Sequence, residues 1–245
     1  MIIWLASFPR SGNTMLRILL HRVYGRPSYS IYEERPGEGG QENIASVMGS
    51  AGQVAEADQD ELRRRPEPCF VKTHGYPVDD SPALCLVRDG RDALASYAHF
   101  VRTYEPGMAA RYSFDEVLRI LIESRDHFGG WTGNVRAWHG RTTRGSTVWL
   151  RYEDLVRDPL GRLEGAMRRL GVEIRPNGAA PVGFDELRRR WPEFFRTGQP
   201  GAWRREMNEE LHELFWRHHH EPMRWFGYDR SGDRPAEPFR PRGES

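Results

Sequence analysis

The sequence predicts a single α/β domain: a central parallel sheet flanked by helices. Three observations carry that expectation. Four short apolar runs, Ile2 to Ala6, Cys69 to Val71, Ala83 to Val87 and Thr147 to Leu150, end abruptly in polar or charged residues, as strands buried on both faces do. The first and third are each followed by a polar loop and then by apolar residues at helical spacing. A chain of 245 residues is also long enough to bury one sizeable core.

After Ile2 to Ala6, the segment Ser7 to Asn13 reads as a loop, and Thr14 to Tyr24 then places Leu16, Leu19, Leu20 and Val23 on one helical face. Pro27 to Pro68 lacks sustained periodicity apart from the strand-like Cys69 run that follows it. Rich in Gly, Glu and Gln, it reads as an irregular stretch and a candidate substrate lid carrying Tyr29, Tyr32, Glu33, Glu34 and Met48. Beyond Ala83 to Val87, a loop over Arg88 to Asp92 leads into a helix over Ala93 to Val101, with Leu94, Tyr97 and Val101 on its apolar side. Ser113 and Glu116 form a capping-box pair that opens a helix through Val117, Leu118, Leu121 and Ile122. Trp131 and Trp138 share a face of the next helix and are expected in the core, and Leu160 to Leu170 forms a helix stopped by Gly171. The domain is expected to span 1–228, with 229–245, rich in Pro, Arg and Gly, as a disordered tail.

Charge and composition narrow the function. The 36 cationic and 35 acidic side chains leave a net charge of +1, which excludes a strongly basic nucleic-acid binder and disfavours a long anionic polymer as substrate. No stretch approaches the roughly 20 apolar residues of a membrane span, and Ile2 to Ala6 is too short for a secretory leader, so a soluble, cytoplasmic protein is expected. Cys69 and Cys85 lie in apolar runs without metal-ligand spacing and read as buried thiols. Adjacent histidines on a helix point in different directions, so His218, His219 and His220 read as a polar helix face. His99, mid-helix beside Phe100, reads as structural, and Arg188 to Arg190 as a solvated face. One count stands out. Of the 36 cations only Lys72 is lysine, and a crowded site can demand a compact ammonium where a planar guanidinium does not fit.

Ligands of open parallel sheets collect at the carboxyl ends of the strands, where this sequence carries Arg10-Ser11-Gly12, Lys72-Thr73-His74, Arg88 and Tyr152. The turn from Arg10 to Thr14 leads into a helix whose free N–H groups and dipole favour an anion, with Gly12 allowing close backbone approach. A phosphate is expected there. The Walker A pattern is absent, since no lysine precedes Thr14, and no Asp follows the second strand to hold magnesium, which weighs against an ATP-dependent, P-loop kinase-like phosphotransferase. Arg88 and Ser96, on either side of a strand-to-helix joint, could flank a second phosphate, so that the ligand has two separated anionic ends.

At this point the residues resemble a known family. Ser7-Phe8-Pro9-Arg10-Ser11-Gly12-Asn13-Thr14 is similar to the 5'-phosphosulfate loop of sulfotransferases that use 3'-phosphoadenosine 5'-phosphosulfate (PAPS). The run Leu86 to Tyr97 resembles their 3'-phosphate motif. The likeness continues through Val71 to His74, through Val148 to Leu155, and faintly through Arg196 to Gly198 and Gly201 to Trp203. It implies a P-loop-like α/β fold of the small-molecule, cytosolic type, with PAPS as donor and adenosine 3',5'-bisphosphate as product, and no metal. It further implies that Arg10, Ser11, Gly12, Asn13 and Thr14 hold the 5'-phosphosulfate, that Arg88 and Ser96 grip the 3'-phosphate, that Tyr152 is a nucleotide-binding tyrosine, and that Arg196 and Gly198 close over the 3'-phosphate. Phe184 is a loosely aligned candidate for stacking on adenine, since Met15 stands where many relatives have a stacking tryptophan.

The resemblance makes His74 the general base toward a hydroxyl of a small-molecule acceptor, with Lys72 as a point charge beside the transferring group and Arg10 as an electrostatic stabiliser. Many relatives carry lysine at Arg10, and arginine cannot deprotonate, so only electrostatic help is expected there. A non-catalytic nucleotide-binding module would have no use for Lys72 and His74. A phenol, a glycopeptide or a nucleoside-type acceptor all suit the sequence, and the shortened stretch from Trp203 to Glu210 leaves the oligomeric state open.

Overall fold

The computed structural model describes residues 1–33, 44–125, 127–141 and 147–232. Glu34 of the expected lid and the tail beyond residue 232 lie outside the described residues. Six strands are described: β1 (Ile2–Ser7), β2 (Ser28–Ser30), β3 (Ser50–Gln53), β4 (Cys69–Thr73), β5 (Ala83–Val87) and β6 (Thr147–Arg151). They form one all-parallel sheet in the order β3-β2-β4-β1-β5-β6. Helices on both faces are α1 (Asn13–Tyr24), α2 (Ile44–Val47), α3 (Gln59–Arg64), α4 (Gly90–Tyr104), α5 (Met108–Arg111), α6 (Phe114–Glu123), α7 (Gly130–His139), α8 (Tyr152–Arg157), α9 (Pro159–Arg169), α10 (Phe184–Arg190) and α11 (Glu209–Trp225).

The four apolar runs are the four adjacent strands β4-β1-β5-β6, and β1 shows why they had to be inside. Its Ile3 and Leu5 pack with Leu16, Leu19 and Leu20 of α1 and Leu163 and Met167 of α9 on one face. Its Ile2, Trp4 and Ala6 pack with Leu62 of α3 and Trp138 of α7 on the other. Backbone pairing to β4 and β5 satisfies the polar groups that such burial strands. A further apolar layer joins α4, α6, α7 and α11 around Leu118, Trp131 and Phe215.

The segment read as irregular instead supplies two short strands on one edge. Ser28–Ser30 and Ser50–Gln53 contain almost no apolar residue, so they pair without the run that would have revealed them. Helix α4 begins inside the expected loop, because Asp89 caps it by accepting from the Arg91 N–H at 3.0 Å. The capping box of α6 is present, with Ser113 and Glu116 bonded reciprocally. His219 departs from the expected polar face: it is buried, its Nε2 lies 3.1 Å from the Ile122 carbonyl and its Nδ1 2.8 Å from the Thr132 hydroxyl. Of the tail read as disordered, Arg230 and Ser231 give their carbonyls to Arg91 and Arg204.

The register brings the strand ends level. Ala6 pairs with Thr73, Ser7 with Leu86 and Val87 with Arg151. The turns carrying Arg10, His74, Arg88 and Tyr152 therefore open on one edge, where β1 lies between strands that connect in opposite directions across the sheet.

Candidate active site

The first turn leaves polar groups open at the head of α1. Gly12 has φ +103° and offers no side-chain cap to α1, and the first turn of α1 contains no acidic residue. A Cβ at Gly12 would stand 2.5 Å from Cδ2 of Tyr152, so the ring of α8 packs directly on this backbone. Ser11 Oγ, Asn13 Oδ1 and Arg88 Nε are buried without a hydrogen-bond partner. Such orphans are rare in a packed interior and fit a polyanionic group that would satisfy a hydroxyl and a guanidinium together. The Asn13 amide is otherwise structural, donating to the Leu5 carbonyl at 2.9 Å and lying 3.2 Å from Ser7 Oγ, so it ties the turn to β1. Thr14 is partly exposed at the head of α1.

Arg10 and Arg88 meet over this turn. Arg88 donates to the Arg10 carbonyl at 3.1 Å, and its guanidinium lies 4.7 Å from the Tyr152 ring centre. The Arg10 side chain crosses to α4, where Nε donates to Ser96 Oγ at 3.2 Å, and a terminal nitrogen donates to the Phe194 carbonyl. Its guanidinium sits 4.3 Å from the Phe194 ring and 5.3 Å from the Phe100 ring. Burial and the neighbouring Arg88 push the Arg10 pKa down to about 10. Ser96 thus contacts Arg10, where the sequence paired it with Arg88.

The late loop closes on the same cluster. The Tyr152 hydroxyl donates to the Gly198 carbonyl at 2.8 Å, and Gly198, at φ +57°, presses against the Phe184 ring. Phe184 also meets Phe195 edge-on at 5.9 Å. Arg196 donates to Glu206 at 2.7 Å, and the same carboxylate lies 3.6 Å from His99 Nε2. Asp92 of α4 anchors the loop from below, accepting from the N–H groups of Gly201 at 2.7 Å and Trp203 at 2.9 Å.

His74 follows β4 directly. Its Nδ1 lies 2.7 Å from the Ser7 carbonyl, which can only accept, so Nδ1 carries the hydrogen and Nε2 keeps its lone pair. Burial and the nearby Lys72 push its pKa down to about 3, which leaves the ring neutral at pH 7. The turn is pinned by side chains: Tyr32 accepts the His74 N–H at 3.0 Å, Asn134 donates to its carbonyl at 2.7 Å, and Trp138 donates to the Gly75 carbonyl at 2.9 Å. Tyr32, Phe128 and His74 form a triangle of rings with centres 5.7 to 5.8 Å apart. Lys72 Nζ lies 5.8 Å from the Tyr32 ring centre.

The structure therefore gathers Arg10, Ser11, Gly12, Arg88, Ser96, Tyr152 and Gly198 into one cluster, sets His74 and Lys72 beside it through Ser7 and Tyr32, and ties Arg196 to Glu206. Sequence reasoning missed Phe194, Phe128 and Asn134, which join the site from elements far away in the chain and stand in no motif. It also gave no role to Asp92, although that residue lies within the run that resembles the 3'-phosphate motif. Among the described residues no group of three His, Cys, Asp or Glu side chains is arranged to hold a metal ion, and no helix is long and apolar enough to cross a membrane.

Fold and site together define a P-loop-like α/β protein with unpartnered buried polar groups on its first turn and a tautomerically fixed imidazole at the switch point of its sheet. The family model of the sulfotransferase domain matches residues 2–227, and the chain belongs to that family. Human sulfotransferase 4A1 is 25% identical over 178 residues, covering 69% of this chain and 60% of that protein. Mouse sulfotransferase 1E1 is 23% identical over 253 residues, covering 90% and 82%. The chain thus spans about 60% of the length of the sulfotransferase 4A1 relatives it matches. Among solved structures, mouse sulfotransferase SULT7A1 complexed with PAP superposes with a TM-score of 0.64 at 18% identity, covering 91% of this chain and 83% of that one. Retinol dehydratase in complex with androsterone and inactive cofactor PAP gives 0.63 at 18% identity, covering 91% and 80%. At such identities the likeness is one of fold.

Proposed function

We propose that this chain is a PAPS-dependent sulfotransferase that modifies a hydroxyl of a small-molecule acceptor, with residues 1–228 as its domain. The observation that carries this reading is the hydrogen bond of 2.7 Å from His74 Nδ1 to the Ser7 carbonyl. It joins an imidazole with a free Nε2 lone pair to the strand end that opens the anion-binding turn. The neighbouring folds solved with PAP support the same donor.

The donor, when bound, supplies a sulfuryl group activated by its attachment to the 5'-phosphate. Arg10, Ser11, Gly12, Asn13 and Thr14 would hold the phosphosulfate end through backbone N–H groups, the Ser11 hydroxyl and the charge of Arg10. Arg88, Ser96, Arg196 and Gly198 would hold the 3'-phosphate end, with Tyr152 fixing the late loop against the first turn.

His74 Nε2 takes the proton of the acceptor hydroxyl as its oxygen bonds to sulfur, while Nδ1–H stays on the Ser7 carbonyl and holds the ring in place. A neutral imidazole is needed at the outset, and burial, with Lys72 beside it, holds its pKa low. An anion at the adjoining turn offsets Lys72 and Arg10, which raises the proton affinity of His74 when a proton must be accepted. Lys72 and Arg10 remain cationic throughout and stabilise the negative charge that moves onto the leaving oxygen.

The reading is tested by incubating the protein with sulfur-labelled PAPS and a panel of phenols and aliphatic alcohols. Labelled sulfate ester and adenosine 3',5'-bisphosphate are expected in equal amounts with at least one acceptor. Phosphoryl transfer from magnesium-ATP, with no sulfuryl transfer across the panel, would contradict it.

A further inference from the structure

We propose that Tyr32 is a positioning residue for His74: its phenol oxygen fixes the backbone of the turn that bears the imidazole, while its ring fixes the plane of the imidazole itself. This rests on the reading of His74 as the base. The geometry points to a double role. Tyr32 Oη accepts the His74 N–H at 3.0 Å, and the two rings lie nearly parallel, 20° apart, with centres at 5.7 Å. Asn134 and Trp138 hold carbonyls of the same turn. Phe128 also lies beside the imidazole, at 5.7 Å and tilted by 59°, so Tyr32 and Phe128 both flank the ring while Ser7 holds Nδ1.

Tyr32 also reaches the cation beside His74, since Lys72 Nζ lies 5.8 Å from its ring centre. One side chain thereby stands beside both the base and the ammonium that adds to burial in lowering its pKa. Tyr32 can do this because Ser30 of β2 pairs with Lys72 of β4, which brings the end of β2 alongside the His74 turn. Its own chain is steadied there by the Tyr32 N–H, which donates to Ser30 Oγ at 3.1 Å. A general base gains its rate from a fixed direction toward the acceptor oxygen, so a residue that fixes both backbone and ring plane acts on kcat rather than on donor affinity.

Tyr32→Phe and Tyr32→Leu separate the two roles. Tyr32→Phe keeps the ring and removes the acceptor of the His74 N–H. Exchange of that amide with solvent is expected to rise about tenfold and kcat to fall about tenfold, with adenosine 3',5'-bisphosphate binding unchanged. Tyr32→Leu also strips the ring, so more water reaches the imidazole of this partly exposed residue. Its NMR titration, and with it the acid limb of kcat/KM, is expected to move up from about 3 toward the ordinary value of about 6.5. The charged groups that face His74, namely Lys72 on β4, Arg17 on α1 and Arg10 on the first turn, are the same in both variants, so a difference between them reports the ring.

The proposal is overturned if the titration of His74 and the exchange of its amide are the same in both variants as in the parent protein. It is equally overturned if the variants lose bisphosphate affinity in proportion to turnover. Both NMR readouts are independent of catalysis. Full turnover in His74→Ala would remove the base while leaving the anchoring by Tyr32 to stand or fall on the spectra.

Discussion

Arg10 and Phe128 are the described non-glycine residues held in left-handed backbone, at φ 64° and 56°, and both border the site. Such positions cost on the order of 1–3 kcal/mol and persist where surrounding contacts enforce them; here those contacts are the Ser96, Phe194 and Phe100 grip on Arg10 and the ring triangle around His74. Gly12 needs the same freedom for a second reason. With φ +103° and Tyr152 packed 2.5 Å from where a Cβ would go, Gly12→Ala is expected to lower the melting temperature and weaken adenosine 3',5'-bisphosphate at least tenfold, read by calorimetry. Arg88→Ala removes a buried cation and the hydrogen bond to the Arg10 carbonyl. A charge-assisted bond contributes about 1.5–3 kcal/mol, so its bisphosphate affinity is expected to drop about 10- to 100-fold. His74→Ala is expected to cut transfer by about 10²- to 10⁴-fold while binding persists, and unchanged turnover would remove it from the mechanism. At this scale the sequence is informative where residues of the site are chain neighbours, as in Arg10 to Thr14 or Lys72 to His74. It is silent on Tyr32 as a partner of His74, because that bond joins residues 42 apart and depends on which strands pair.

Strand β1 sits between β4 and β5, so the elements present their turns side by side, and the joint between β5 and α4 and the start of α8 then carry Arg88 and Tyr152 to the same edge. Asp92, in the first turn of α4, links this edge to the late loop through the N–H groups of Gly201 and Trp203. In Asp92→Asn one of the two acceptor oxygens becomes an amide NH2, a donor that faces a backbone N–H donor. A buried donor left without its partner costs about 1–3 kcal/mol, so urea unfolding is expected to shift by that amount. Bisphosphate affinity is expected to fall with it, since Arg196 and Gly198 ride on the same loop; a variant as stable and as tight-binding as the parent would mean that the loop is held elsewhere. Strands β4, β1, β5 and β6 were legible because burial writes an apolar run. Strands β2 and β3 were not, because Ser28, Ser30 and Ser50 pair through backbone alone. The start of α4 was misplaced because Asp89 acts as a cap inside what looks like a charged loop. His219 was misread as polar surface for a related reason: two hydrogen-bond partners, Thr132 and the Ile122 carbonyl, come from other helices and make its burial tolerable.

For the molecule as a whole, His74 and His219 share one consequence: burial pushes each pKa down to about 3, well below the value of about 6.5 in an unfolded chain. Between those values the unfolded chain binds protons that the folded one does not. Their contribution is fully present above pH 6.5 and is lost as pH falls toward 3, with a slope of up to about 1.4 kcal/mol per pH unit for each histidine. Asp92 and Glu153, whose carboxyls burial pushes upward, act in the opposite sense, so the comparison must be made between variant and parent. His74→Gln, with no titrating ring, is expected to show a shallower loss of urea stability between pH 7 and pH 5 than the parent, and identical slopes would contradict it. The same neutral imidazole is what the proposed chemistry requires, which makes stability in acid and readiness as a base two readings of one environment. The account as a whole depends on one nucleotide bridging the Arg10 turn and the Arg88 joint. Titration calorimetry with adenosine 3',5'-bisphosphate in the presence of a metal chelator tests this most directly. Saturable one-to-one binding that Arg88→Ala weakens is the predicted result. No heat with the bisphosphate, alongside tight binding of magnesium-ATP, would contradict it.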